Sequence, residues 1–300
     1  MNATQYYFFS KSFFRGKKIL NFVIMEKDKA IGVFDSGIGG LSVLKQFIRF
    51  LPFEKYIYLG DTARVPYGNK STDTVSHYAR ECTQFLMDKK VKLIVVACNT
   101  VSSVALDDVR NVANGVPVIG MITPAASAAL RATQNNRIGV IGTRATINSN
   151  AYSDVLKSLS DNEKLKVISK SCPLFVPIVE EGWTFHPATR MIATEYLEPF
   201  KQEAIDTLVL GCTHYPLLSQ LISEILPGVS LIDSGEHSSV SSIRILAELE
   251  ALADEKNEFV RAPEIEFYVS DVPSTFFDLA KRFLGFPVEK PHRITIGKSY

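Results

Sequence analysis

The sequence predicts an α/β fold made of two pseudo-symmetric parallel-sheet domains, with a cleft between them for an active site. Three observations point there. Short apolar runs alternate with stretches of helical period, and the second half of the chain repeats the first. Each half also ends one apolar run in a cysteine flanked by small and polar residues: Ala97-Cys98-Asn99-Thr100 and Gly211-Cys212-Thr213-His214. At 300 residues the chain exceeds the size at which one hydrophobic core usually stops growing, which favours two domains.

Strand-like runs near 31–35, 55–60, 92–97 and 116–120 make up the first half, and runs near 138–142, 165–170, 206–211 and 229–233 the second. They are short, continuous and rich in Val and Ile, as in parallel strands buried on both faces. In "STDTVSHYARECTQFLMDKK", Val75, Tyr78, Ala79, Cys82 and Leu86 fall at three-and-four spacing behind a cap at Ser71, which makes a helix and puts Cys82 in its core stripe. Strands alternating with helices imply right-handed crossovers.

The repeat has a steady offset. Cys98 and Cys212 are 114 residues apart, Ile31-Gly32-Val33 and Ile138-Gly139-Val140 are 107 apart, Val65-Pro66 and Val176-Pro177 are 111 apart, and "GVPVIG" and "GVSLID" are 113 apart. The region after 233 has no counterpart. It offers a helix at 237–254, a strand in "IEFYVSD" and a helix at 273–284, and is expected to fold back on the first half. The expected domains are therefore 31–121 plus 234–300, and 122–233. Residues 1–30 read as a dispensable N-terminal extension, with Met25 a candidate start.

Composition excludes several classes. Lys+Arg 33 against Asp+Glu 32 leaves a net charge of +1, with no block of like charge to meet nucleic acid or an anionic membrane. No segment has the length and apolarity of a membrane span. The four cysteines, Cys82, Cys98, Cys172 and Cys212, form no C-x-x-C pair and are too sparse for a disulfide framework, so reduced thiols in a cytoplasm fit best. A small-molecule partner is expected, with neither nucleic acid nor membrane, and a homodimer is the candidate assembly.

Ligands of open α/β sheets bind beyond the carboxyl ends of the strands, where both repeats place a cysteine. A helix is expected to begin just after each one, and its positive end both lowers a thiol pKa and attracts an anion. Two opposed thiols suit a reaction that removes a proton from one face of a carbon and returns one to the other, which is racemisation. A single Cys–His nucleophile leaves the duplicated cysteine unexplained. "VFDSGIGGLSV" has the strand, glycine loop and helix of a dinucleotide site, but Ser42 replaces the third glycine, so the glycines instead bring backbone close to a small ligand. Asp35 is placed to relay a proton or orient a thiol, and Ser36 to donate to a carboxylate; capping the next helix is the plainer role for both. Tyr67-Gly68 offers N–H or hydroxyl donors to an anion. Glu180 and Glu181 read from the residues alone as an exposed acidic pair.

Taken together, "FDSGIGGLSV", "GDTARVPYG", "ACNT", "FVPIVEEG" and "LGCTHYPLL" resemble, in order, the motifs of bacterial glutamate racemases of the cofactor-independent two-cysteine type, over about residues 31–235. The resemblance implies interconversion of L- and D-glutamate without a cofactor or metal, supplying D-glutamate to peptidoglycan synthesis. It makes Cys98 and Cys212 the catalytic pair, with Asp35, His214 and Glu180 assisting. It makes Asp35, Ser36, Tyr67, Gly68, Asn99, Thr100, Thr213 and His214 substrate contacts. An aspartate or hydantoin racemase of the same superfamily, a cysteine hydrolase using Cys212 and His214, and a non-catalytic amino-acid-binding protein are the alternatives.

Overall fold

The computed structural model describes residues 27–254 and 263–297; most of the N-terminal extension lies outside them. The strands in chain order are β1 (Ile31–Asp35), β2 (Tyr56–Gly60), β3 (Leu93–Val96), β4 (Val118–Ile119), β5 (Arg137–Gly142), β6 (Lys166–Ser171), β7 (Thr207–Gly211), β8 (Ser230–Asp233), β9 (Ile265–Val269) and β10 (His292–Arg293). They build two all-parallel sheets, ordered β10-β9-β2-β1-β3-β4 and β6-β5-β7-β8. Within these, β2-β1-β3-β4 and β6-β5-β7-β8 are the same four-strand order, so the sequence repeat is a repeat of topology.

Every residue of β1, β2, β3 and β7 is buried. No residue of β6 is. The expectation of strands covered on both faces thus fails at β6, and largely at β8, because these are the two edge strands of their sheet, and in the former Lys166 pairs with Glu203.

The helix expected around Cys82 spans Thr72–Asp88, with the Ser71 side chain accepting from the Thr74 N–H, and Cys82 is core. The C-terminal region supplies β9 and β10 to the first sheet. Its helices run Ser234–Glu248 and Phe276–Leu284, the first starting three residues earlier than expected because the Asp233 carboxylate accepts from the N–H groups of Gly235 and Glu236. Ser238, Ser239 and Ser242 of that helix are fully buried, and Ser238 donates to the Gly120 carbonyl at 3.2 Å. Their small side chains let this helix sit close to Leu41–Phe50. One apolar cluster, including Phe47, Met121, Leu210, Tyr215 and Phe283, runs continuously between the sheets.

Candidate active site

Both cysteines lie just past the carboxyl end of an equivalent strand, Cys98 after β3 and Cys212 after β7. The backbone beyond them differs. Cys98 occupies the N-cap position of helix Asn99–Val104, and the Ser102 N–H donates to its carbonyl at 2.9 Å. The corresponding bond at the second cysteine needs an N–H on residue 216, which is proline and has none. The chain instead turns tightly, Tyr215 N–H to the Cys212 carbonyl at 3.1 Å and Leu217 N–H to the His214 carbonyl at 3.2 Å, and an α-helix begins only at Ser219. The expectation of a helix just after each cysteine is met at Cys98 alone.

The two thiols open into one cavity of about 560 Å³. The first half lines it with Ser36, Tyr67, Gly68, Cys98, Asn99 and Thr100, and the second with Glu180, Cys212, Thr213 and His214. Glycine is required where the halves meet: a Cβ on Gly39 would overlap the His214 ring and lie 2.5 Å from Thr213 Oγ1, and one on Gly68 would lie 2.8 Å from Thr143 Cβ. Ser42 adds a buried hydrogen bond across the same seam, donating to the Thr213 carbonyl at 2.7 Å.

At Cys212, His214 presents Nδ1 4.0 Å from the sulfur and Nε2 3.0 Å from Glu180 Oε1. Burial opposes an imidazolium here, but the Cys212 and Glu180 hydrogen bonds and charges outweigh it and raise the His214 pKa to about 10. Glu180 is thus half of an ion pair rather than part of an idle acidic surface, while its side chain stays 46% exposed. Helix Phe276–Leu284 fixes both groups: Phe283 packs edge-on to the His214 ring, centroids 5.0 Å apart, and Arg282 donates to the carbonyls of Val179 and Glu180.

At Cys98, the sulfur donates to Ser36 Oγ at 3.6 Å. Burial, reinforced by the Asp35 charge, pushes this thiol up to about 12. The expected lowering by a helix N-terminus is overturned, because desolvation of a buried thiolate costs more than one helix end returns. Asp35 does not line the cavity. It lies beneath, 1% exposed, with Oδ2 accepting from the Gly37 N–H at 3.0 Å and Oδ1 buried without a hydrogen-bond partner. Burial raises its pKa against the pull of His214 and the backbone donors.

Two other expected contacts are modified. The Tyr67 hydroxyl donates to Asp61 and is therefore not offered to a ligand. The Asn99 amide is held across the seam, its Oδ1 accepting from the Tyr152 hydroxyl at 2.7 Å and its Nδ2 donating to Ser234 Oγ at 3.3 Å. Thr100 shares a hydroxyl hydrogen bond of 3.0 Å with Thr143. Thr143 and Arg144, which also line the cavity, were not expected. The repeat could have indicated them, since the 107-residue offset that aligns β1 with β5 carries Ser36 and Gly37 onto these positions. Among the described residues no group of three His, Cys, Asp or Glu side chains is arranged to hold a metal ion.

The family model for Asp/Glu/hydantoin racemases matches residues 31–237. The glutamate racemase of Chlorobaculum tepidum is 49% identical over 87% of this chain and 94% of its own length. The crystal structure of glutamate racemase from Francisella tularensis in complex with D-glutamate superposes with a TM-score of 0.83 at 39% identity, covering 90% of this chain and 99% of that one. That of the Thermus thermophilus enzyme in complex with β-chloro-D-alanine gives 0.78 at 43% identity, covering 90% and 98%. The matched span holds both strand-end cysteines and the seam between the sheets, and the chain belongs to the Asp/Glu/hydantoin racemase family.

Proposed function

We propose that the protein is a glutamate racemase in which Cys98 and Cys212 exchange the α-proton of glutamate on opposite faces. The observation that carries this reading is the convergence of the two cysteines, from equivalent strands of two equivalent sheets, on one cavity. One thiolate removes the α-proton, and the other thiol returns one to the opposite face of the planar carbanion. The cavity wall around Ser36, Asn99, Thr100 and Thr213 supplies N–H and O–H donors for the substrate's α-carboxylate, whose developing negative charge such donors stabilise in a water-poor site, while Gly68 contributes binding alone.

His214 assists Cys212, since at neutral pH a pKa of about 10 keeps its ring protonated beside a sulfur that must become a thiolate. Glu180 holds that ring from the far side. Asp35 assists Cys98 through the Ser36 loop. A hydrolase built on Cys212 and His214 would leave Cys98 without a task, and relatives of this similarity carry the glutamate name rather than the aspartate or hydantoin one.

The working domains are 31–121 with 234–300, and 122–233, a division supported by the sheet to which β9 and β10 belong. No helix among the described residues is long and apolar enough to cross a membrane, and the four cysteines are unpaired; both support a cytoplasmic enzyme supplying D-glutamate to peptidoglycan. A homodimer remains the assembly to check by light scattering. The deciding assay follows the circular dichroism of L-glutamate and of L-aspartate with purified protein and no added cofactor. Decay of the glutamate signal to zero is expected, and a signal that persists, or decays faster for aspartate, overturns the reading.

A further inference from the structure

The motif "GDTARVPYG" puts Tyr67 and Gly68 at the cavity, but Asp61, Thr62 and Arg64 have no part in the chemistry above. Asp61 is completely buried just past β2. Its Oδ2 accepts from Arg64 Nε at 2.5 Å and from the Tyr67 hydroxyl, and its Oδ1 accepts from Ser270 Oγ at 2.8 Å. Arg64 stacks over the Tyr78 ring at 3.9 Å and pairs with Glu81. Ser270 also accepts from the Ala63 N–H at 2.8 Å, and Thr62 exchanges hydrogen bonds with the backbone of Asp271. The loop that carries Tyr67 and Gly68 is therefore stitched at its root to the end of β9, beyond the residues the family model matches. At its tip, Gly68 touches Thr143 of the opposite half.

We infer that Asp61, clamped by Arg64 and Ser270, is a positioning group that sets the Tyr67–Gly68 wall of the substrate cavity from the C-terminal segment. This rests on the glutamate reading. A buried carboxylate with three donors holds its neighbours more rigidly than an exposed loop holds itself, since charge-assisted hydrogen bonds are about twice as strong as neutral ones. The side-chain hydrogen bonds of the two sulfurs go elsewhere, Cys98 to Ser36 and Cys212 to His214. Loosening it removes binding shared by ground and transition states, which raises KM and leaves kcat in place.

The test uses the full chain. Ser270→Ala removes one donor to Asp61 and one acceptor for Ala63, and is expected to raise KM for both enantiomers about five- to tenfold with kcat held within about twofold, the size of one net hydrogen bond. Ser270→Thr keeps the hydroxyl and is expected to restore KM. Asp61→Asn is expected to raise KM further. Independently of substrate, amide hydrogen exchange across 62–70 is expected to quicken in Ser270→Ala and return to the wild-type rate in Ser270→Thr. Unchanged exchange in Ser270→Ala, or a fall in kcat at constant KM, overturns the inference. Wild-type protein inactive on glutamate would instead overturn the functional reading, and the exchange rates would still decide this one.

Discussion

Cys98 and Cys212 occupy equivalent places in two equivalent sheets, yet their surroundings have little in common. Cys98 caps a helix, donates to Ser36 and lies over a buried carboxylate with an unpartnered oxygen. Cys212 precedes a proline-enforced turn and faces an imidazole that is itself paired with Glu180. The charges beside the two sulfurs have opposite signs, because the Asp35 carboxylate disfavours a Cys98 thiolate while Cys212 faces the His214 ring, whose pKa is raised to about 10. The two halves thus share a scaffold while the surroundings of their cysteines differ, which suits the proposed division of proton transfer between two thiols. Such divergence fits a substrate whose two faces at the α-carbon are not equivalent.

The comparison can be broken most severely at the sulfurs. Cys98→Ser and Cys212→Ser are each expected to lower racemisation about a thousandfold or more, the upper range for removing a general acid or base, with thermal unfolding unchanged. One variant near wild-type activity would dissolve the pairing. Next come the assisting groups: Asp35→Asn and His214→Asn are expected to cost about a hundredfold in kcat, and because the equilibrium constant between enantiomers is unity, kcat/KM must fall equally in both directions. Full activity in either variant would assign that residue to capping or packing.

Gly39→Ala sharpens the seam between the halves. Its new methyl would overlap His214 and Thr213, and a displacement of the ring by about an ångström is expected to cost about ten- to a hundredfold in kcat; retained activity would show that the ring moves freely without penalty. The smallest effect concerns pH. His214 has its pKa raised from 6.5 to about 10, so its ion pairing stabilises the fold fully below about pH 6.5 and is lost as pH rises through about 10. The wild-type urea midpoint is expected to fall between about pH 6.5 and 10 and activity to fall as pH passes about 10, and His214→Asn is expected to lack that fall in stability. The same decline in both proteins would place the titration elsewhere.

Much of this was legible in the sequence because parallel strands buried on both faces leave unmistakable runs such as "LIVVA" and "TLVLG", and because a duplicated fold repeats its strand ends. The C-terminal strand and the last helix could be placed within a few residues, whereas the helix expected over 237–254 ends at Glu248. The features that the sequence does not display share a physical cause. The Tyr67 hydroxyl was legible as a donor but not its capture by Asp61, Glu180 as a carboxylate but not its contact with His214, and Thr143 and Arg144 not at all, since each depends on which side chains meet across the seam. The rise in the Cys98 pKa is hidden for a related reason. A helix N-terminus is a local signal that a sequence displays, whereas burial is a property of the whole fold.

The central claim, that each thiol serves one face, is tested most directly by an irreversible half-reaction. β-Chloroalanine loses its α-proton to a base and its chloride as a leaving group, and the resulting enamine hydrolyses to pyruvate and ammonia, so one thiolate suffices and no proton need be returned. We propose, as the family resemblance implies, that Cys98 takes the α-proton of D substrates and Cys212 that of L substrates. Pyruvate is therefore measured from both enantiomers with both serine variants. Cys98→Ser is expected to process the L enantiomer alone and Cys212→Ser the D enantiomer alone. Loss of both enantiomers in one variant, with the other variant unaffected on both, would contradict the two-faced site and leave a single catalytic cysteine.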